Sequence, residues 1–188
     1  VDRHGGGIEG ILVIRAPGDL IQMDTKVKTV VGGARRYQFT AIDVLTKLRV
    51  LDVGSTCSSA AAARFLDGCL RQFPFPIHAV QTDNGPEFRG AFDRALSEKE
   101  ITHYFGDPHW PRCQSYVERS HRTDEEEFYR QGNLRTTVAA LRPLVKGWER
   151  TYNTVRPHAA LRMLTPQAYF HRWATKMLPT NDTIILQA

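Results

Sequence analysis

Apolar and polar positions alternate through Ile21–Lys28. Ile21, Met23, Thr25 and Val27 fall on one side, and Gln22, Asp24, Lys26 and Lys28 on the other. A period of two is that of a β-strand with unlike faces. Tyr37–Val44 and Lys47–Val53 are rich in β-formers and predict two further strands. Turns at Gly32-Gly33 and Asp43–Thr46 join the three into an antiparallel meander. The period then lengthens. Ala62, Phe65, Leu66, Cys69 and Leu70 recur at helical spacing within Ser58–Phe73, with a cap-forming start and Pro74 at the end. Ile77–Thr82 reads as a short apolar strand, and Pro86–Leu96 as a short helix with Pro86 near its start. Ile101–Phe105 reads as a fifth strand, and the Pro- and Gly-bearing stretch 106–113 as a loop. From about Gln114 the pattern is helical. Leu134, Val138, Leu141, Val145, Trp148 and Tyr152 mark a further helical register, in which Pro143 predicts a kink or two abutting helices.

Three strands, helix, strand, helix, strand and closing helices predict a mixed α/β domain with a crossover on each side of the fourth strand. Residues 1–18, Gly-rich and ending in Ala16-Pro17-Gly18, read as a leader or linker. Residues 19–170 form the main domain and 171–188 a C-terminal tail. With 188 residues, 41% of them hydrophobic, the chain can bury one core with an appendage. The opening Val-Asp-Arg-His has neither an initiator Met nor a signal-peptide pattern, so further sequence is expected upstream.

A net charge of +5 favours a polyanionic partner. The charge is uneven: Arg112, Arg119, His121 and Arg122 crowd around Glu118. Cys57, Cys69 and Cys113 are too scattered for a disulfide framework or a structural zinc site, and fit a reducing, cytosolic setting. No apolar run approaches the length of a bilayer span, so no membrane partner is expected.

Candidate chemistry centres on three carboxylates. Asp24 lies mid-strand on the polar face of the first strand, Asp83 just past the fourth, and Glu118 about a turn into a helix. Taken singly, each has a plainer reading: Asp83 before Asn84-Gly85 as a turn residue, Asp24 as a solvated strand residue, Glu118 as part of a solvated helix face. Together, from separate elements, they match the hard-oxygen donors that Mg²⁺ prefers. A pair of such ions about 3.5–4 Å apart can stabilise both the attacking and the leaving oxygen in phosphodiester chemistry. Gln114, Arg122 and Glu125 share the face of Glu118. Arg122 suits a DNA phosphate one turn beyond the carboxylates, or equally a surface pair with Glu118 or Glu126. Asp43 reads as a turn or structural residue, and Glu87 as a charge at a helix N-terminus.

Residues 20–26 (LIQMDTK), 80–88 (VQTDNGPEF) and 114–122 (QSYVERSHR), followed by Glu127-Phe128-Tyr129, resemble the catalytic domain of DDE transposases and retroviral-type integrases. The tail Tyr152-Asn153-Thr154-Val155-Arg156-Pro157-His158-Ala159-Ala160-Leu161, then Thr165-Pro166, is similar to the bacterial insertion-sequence branch. The likeness runs from about residue 17 to 170. It implies a ribonuclease H-like fold: a five-stranded mixed sheet, three antiparallel strands then two parallel, flanked by helices. It also implies that Asp24, Asp83 and Glu118 are the catalytic and metal-binding triad for Mg²⁺ or Mn²⁺, as two ions. The reaction implied is nicking at transposon ends, then attack of the freed 3′-hydroxyl on target DNA. Gln114, Arg119, His121 and Arg122 are the expected DNA contacts. The partners implied are DNA and further copies of the chain, as a dimer or higher multimer, near the nucleoid of a bacterial cytoplasm. The C-terminal Thr183–Leu186 is a candidate exchanged strand. Gln114-Ser115 stands where the family usually carries Asn-Gly, which puts the entry to the Glu118 helix in question. The family's usual upstream helix-turn-helix region has no counterpart in this sequence. A nuclease without strand transfer and a catalytically silent DNA-binding or assembly module are the competing readings. The tail motif argues against the first and the complete triad against the second.

Overall fold

The computed structural model describes residues 4–7, 11–106, 115–176 and 183–187. The expected meander is present as β3 (Ile21–Thr29), β4 (Arg35–Asp43) and β5 (Arg49–Gly54). They pair antiparallel, in the order β3-β4-β5. β6 (Ala79–Thr82) joins β3 in parallel, and β7 (Thr102–Phe105) joins β6 in parallel. This is the predicted five-stranded mixed sheet. A sixth strand extends it: β1 (His4–Gly7), from the Gly-rich leader, pairs in parallel with β7. β2 (Ile11–Ile14), also from the leader, pairs antiparallel with β8 (Ile184–Gln187) in a separate two-stranded sheet. The C-terminal strand thus has a partner within its own chain.

The two faces of β3 separate the layers. Ile21 and Met23 are fully buried with Phe39, Ala41 and Val50, under α1 (Ser59–Gln72) and α2 (Ala91–Glu98). Ser58 caps α1 by accepting from the Ala61 N–H, and the Ala62, Phe65, Leu66, Cys69 face packs inward. The expected helix over Pro86–Leu96 is split in two. Pro86–Phe88 makes a single 3₁₀ turn, and Gly90, in a left-handed conformation (φ 61°), redirects the chain before α2 begins.

The opposite face carries α3 (Ser115–Glu127) over β3 and β4, and α4 (Val138–Thr154) over Leu51 and Val53 of β5. Pro143 lies inside one continuous α4, in its second turn, where it removes a single backbone hydrogen bond. α5 (Pro166–Ala174), capped by Thr165, packs with Leu161 and Tyr169 against Leu20 and Val44. The division drawn at residues 170/171 falls inside this helix.

A buried ion pair locks α3 and α4 to the sheet. Arg49 at the start of β5 and Asp124 on α3 have side chains with no solvent exposure, and they meet at 2.6 Å. Asp124 also accepts from Trp148 Nε1 (2.6 Å) on α4 and Gln38 Nε2 (2.7 Å) on β4. The Arg49 guanidinium lies 3.5 Å from the Tyr152 ring centroid and donates to Ser120 Oγ. Four elements therefore converge on one carboxylate. Each charge depends on the other, since either one alone would be buried without an opposite charge.

Four polar and aromatic positions of the tail motif make structural contacts. Tyr152 covers Arg49, and the Asn153 amide exchanges two hydrogen bonds with the Arg49 backbone on the outer edge of β5. Glu149 accepts from the Leu51 N–H, and Arg142 donates to the Val53 carbonyl on the same edge. Arg156 makes a two-pronged pair with Glu127. His158 packs edge-on against Tyr152, and burial pushes its imidazole down to about 4.

Arg49→Met is expected to lose about 3–5 kcal/mol in urea unfolding, because Asp124 stays buried without its partner. Arg49→Met with Asp124→Leu should lose clearly less than the sum of the two single changes; full additivity would mean the pair is not coupled. Between about pH 4 and 6.5 only the unfolded chain protonates at His158. The His158 contribution to stability should therefore grow with pH across that window, against an opposite contribution from Asp24, and His158→Gln should raise stability at pH 5 relative to pH 7 in melts recorded at both.

Candidate active site

β3 and β6 set two of the three carboxylates side by side. Their parallel register pairs Ile21 with Val80 and Gln22 with Gln81. The same offset carried two residues onward places Asp83, just beyond the end of β6, opposite Asp24. Asp24 is half-buried. Its Oδ1 accepts from the Thr25 N–H at 2.7 Å, and Oδ2 lies 3.4 Å from His121 Nδ1. Burial is the main cause pushing its carboxyl up to about 7, and the charges of Asp83, Glu87 and Glu118 push in the same direction. Asp83 is exposed and accepts from the Gly85 N–H at 2.9 Å, the local ring that the Asp-Asn-Gly sequence favours. Glu118 is exposed in the first turn of α3.

The polar face of β3 meets α3 along its length. Lys26 donates to the His121 carbonyl, and Lys26 and Lys28 both reach Glu125 at 2.8 Å. Their hydrogen bonds hold the Glu125 carboxyl down at about 2. The acidic corner at Asp24 thus passes into a basic stretch whose two lysines share one α3 carboxylate, that of Glu125. The entry to that helix is fixed from below. Gln22 Oε1 accepts from the Tyr116 and Val117 N–H groups, both at 3.2 Å, and Gln22 Nε2 donates to Gln81 Oε1 at 3.0 Å.

Of the expected DNA contacts, Arg119 and Arg122 are exposed on α3. Arg119 borders a cavity of about 370 Å³ together with Lys47, Tyr116, Arg156 and His158. His121 points inward instead, between Asp24 and Thr40 Oγ1 (3.0 Å). Gln114 lies outside the described residues. Asp43 is the structural residue it reads as: fully buried, it accepts from Gly18 N, Thr46 N and Thr46 Oγ1.

Three residues join the corner that their local sequence does not single out. Glu87, read as a helix-terminal charge, faces Asp24 and pushes on it after Asp83 and ahead of Glu118. Gln22 and Gln81 sit two residues before Asp24 and Asp83, and the strand period that puts them on the same face is the available signal. The bare α-carbon of Gly85 lets two carboxylates approach closely. A β-carbon there would stand 2.7 Å from Glu87 Oε2 and 2.8 Å from Asp83 Oδ1.

Among the described residues no three His, Cys, Asp or Glu side chains already stand close enough to hold a metal ion. The donor set nonetheless fits a hard divalent cation. Four carboxylates act on one corner, two of them folded over the bare α-carbon of Gly85, and Asp83 and Glu118 are open to solvent.

Antiparallel and parallel strands in this order, helices on both faces and carboxylates at the β3–β6 junction define a ribonuclease H-like core of the integrase type. Two family profiles, each described as an integrase core domain, match residues 15–111 and 99–166. The chain belongs to the integrase core domain family. It is 29% identical over 178 residues to the 39.2 kDa protein of insertion element IS476 from Xanthomonas euvesicatoria, across 93% of this chain and 50% of that one. It is 30% identical over 156 residues to the 31.7 kDa protein of insertion element IS407 from Burkholderia multivorans, across 82% and 56%. The chain thus spans about half the length of these relatives. The magnesium-bound HTLV-2 integrase catalytic core domain, in a trimeric form, superposes with a TM-score of 0.65 at 15% identity, covering 88% of this chain and all of that domain. No helix among the described residues is long and apolar enough to cross a membrane.

Gly85→Ala is expected to leave the melting temperature nearly unchanged while displacing the Asp83 and Glu87 carboxylates. Calorimetric titration with Mn²⁺ should then show affinity weakened about 10-fold or more; wild-type affinity would mean that neither carboxylate bears on an ion.

Proposed function

We propose that this chain is the catalytic core of an insertion-sequence transposase of the DDE type: a divalent-metal-dependent polynucleotidyl transferase. It nicks DNA and joins the freed 3′-hydroxyl to target DNA. The observation that supports the reading is the β3–β6 register that sets Asp24 beside the strand leading to Asp83, with the charges of Asp83 and Glu118 both acting on Asp24, within an integrase core fold. The insertion-element relatives support the mobile-element setting, and the magnesium-bound neighbour supports the choice of metal.

Asp24, Asp83 and Glu118 would hold one or two Mg²⁺ ions, which supply charge stabilisation for the attacking and leaving oxygens of a phosphodiester. Asp24 is the fixed member, gripped by the Thr25 N–H beneath it. Asp83 and Glu118 are the adjustable members that bring a substrate phosphate into line. His121 stands beside Asp24 on its inner side, with burial holding its imidazole neutral down to about pH 4. It therefore orients the carboxylate without adding a competing positive charge. Arg122 and Arg119, exposed on the same helix, serve phosphates on either side of the reacting one. A basic chain of net charge +5 suits that polyanion. The neighbour's trimeric form supports work as a multimer, and the insertion-element relatives support DNA as the partner and a bacterial cytoplasm as the setting.

Glu118→Gln is expected to cut Mn²⁺-dependent nicking of supercoiled plasmid by about 100-fold or more, the effect of losing several kcal/mol of charge stabilisation. Its melting temperature should match the parent's, since Glu118 is exposed. Nicking at the parental rate would sink the assignment. Nicking that is metal-dependent but never joins a 3′-hydroxyl to target DNA would point instead to a nuclease.

A further inference from the structure

The Glu118 helix begins where a single buried side chain receives it. Gln22 and Gln81 are both fully buried, and they face each other across the parallel pair β3–β6. Gln22 Nε2 donates to Gln81 Oε1, while Gln22 Oε1 accepts from the N–H groups of Tyr116 and Val117. Those two groups belong to the first turn of α3, whose N–H groups have no partner within the helix itself. Each Gln lies two residues before a site carboxylate, so the strand period puts Gln22 on the face of Asp24 and Gln81 on that of Asp83. Gln22 therefore touches all three elements that carry Asp24, Asp83 and Glu118. Glu118 immediately follows the two amides it holds, and a helix rises only about 1.5 Å per residue.

We infer that Gln22, backed by Gln81, is the positioning residue for Glu118: it fixes the start of α3 to the two aspartate-bearing strands and so sets the reach of the third carboxylate. The role as positioning for catalysis rests on the proposed function, whereas the capping of α3 does not. An amide suits this place because it accepts and donates at once. A leucine or methionine would leave the Tyr116 and Val117 N–H groups without their acceptor. A glutamate would keep that acceptor, and the Gln81 amide could turn its otherwise unpartnered Nε2 toward it.

The test compares Gln22→Met, Gln22→Glu and Gln81→Met with the parent by amide hydrogen exchange and by Mn²⁺ titration calorimetry. Gln22→Met is expected to speed exchange at Tyr116 and Val117 at least tenfold, with the β3 amides still protected. It should weaken Mn²⁺ binding about 10- to 100-fold, the range found when a residue supporting a metal ligand is lost. Gln81→Met should shift both in the same direction by less, and it serves as the probe if Gln22→Met does not fold. Gln22→Glu should keep Tyr116 and Val117 protected. In nicking assays Gln22→Met should need more Mn²⁺ yet approach the parental rate at saturation, whereas Glu118→Gln stays slow at any concentration. Unchanged exchange at Tyr116 and Val117 in both methionine variants would overturn the inference. So would faster exchange with parental Mn²⁺ affinity. A parent chain that binds no Mn²⁺ at all would count against the proposed function, while the exchange data would still decide whether Gln22 holds the helix.

Discussion

The pairing of Arg49 with Asp124 is the contact on which the rest of the architecture depends. It lies at the centre of the layer formed by β4, β5, α3 and α4, and each of these contributes a group to it. Apolar packing alone would leave α3 free to roll or slide over the sheet, because hydrophobic contact is non-directional. A buried carboxylate that must receive Arg49, Trp148 and Gln38 at once permits one rotation of α3. That rotation turns Glu118 and His121 toward β3 and leaves Arg119 and Arg122 outside. The tail belongs to the same arrangement, since Tyr152 covers the guanidinium and Asn153 holds the strand that carries it.

Two fixings therefore act on one helix. Asp124 sets its rotation from the middle, and Gln22 sets its starting point. Between them the polar face of β3 changes character from residue to residue, from a neutral amide at Gln22 to an acid at Asp24 and then to Lys26 and Lys28. The lysines spend their charge on Glu125, so the field at Asp24 is set mainly by burial and by the other carboxylates.

Much of this was legible in the sequence wherever the signal is local. The alternation in Ile21–Lys28 revealed the strand and its two faces, the Asp-Asn-Gly turn fixed the end of β6, and helical spacing placed Glu118 about one turn into α3. Periodicity reports which residues share a face, but not what covers that face. Asp24, taken singly, therefore reads as a solvated strand residue, although α3 lies over it and over Gln22. Arg49 gave no warning, being a lone charge at the start of an apolar strand whose partner is 75 residues further on. Glu87 looked like an ordinary helix-terminal acid because the break at Gly90 is a backbone event that a one-dimensional pattern does not carry. The leader strands owe their pairing to β7 and β8, far along the chain, and a Gly-rich stretch has no period of its own to announce it.

The outer edge of β5 has a consequence for assembly. Side chains of α4 take up the Arg49 N–H and C=O, the Leu51 N–H and the Val53 C=O, while Asp52 takes the Val53 N–H. An exposed strand edge is the usual template on which another chain adds a strand. Here that template is already filled by Asn153, Glu149 and Arg142, so neighbouring copies cannot continue the sheet past β5. Copies that meet on this side must do so through helix surfaces. The same residues that hold the tail to its own sheet thereby close this end of the sheet to growth by strand addition.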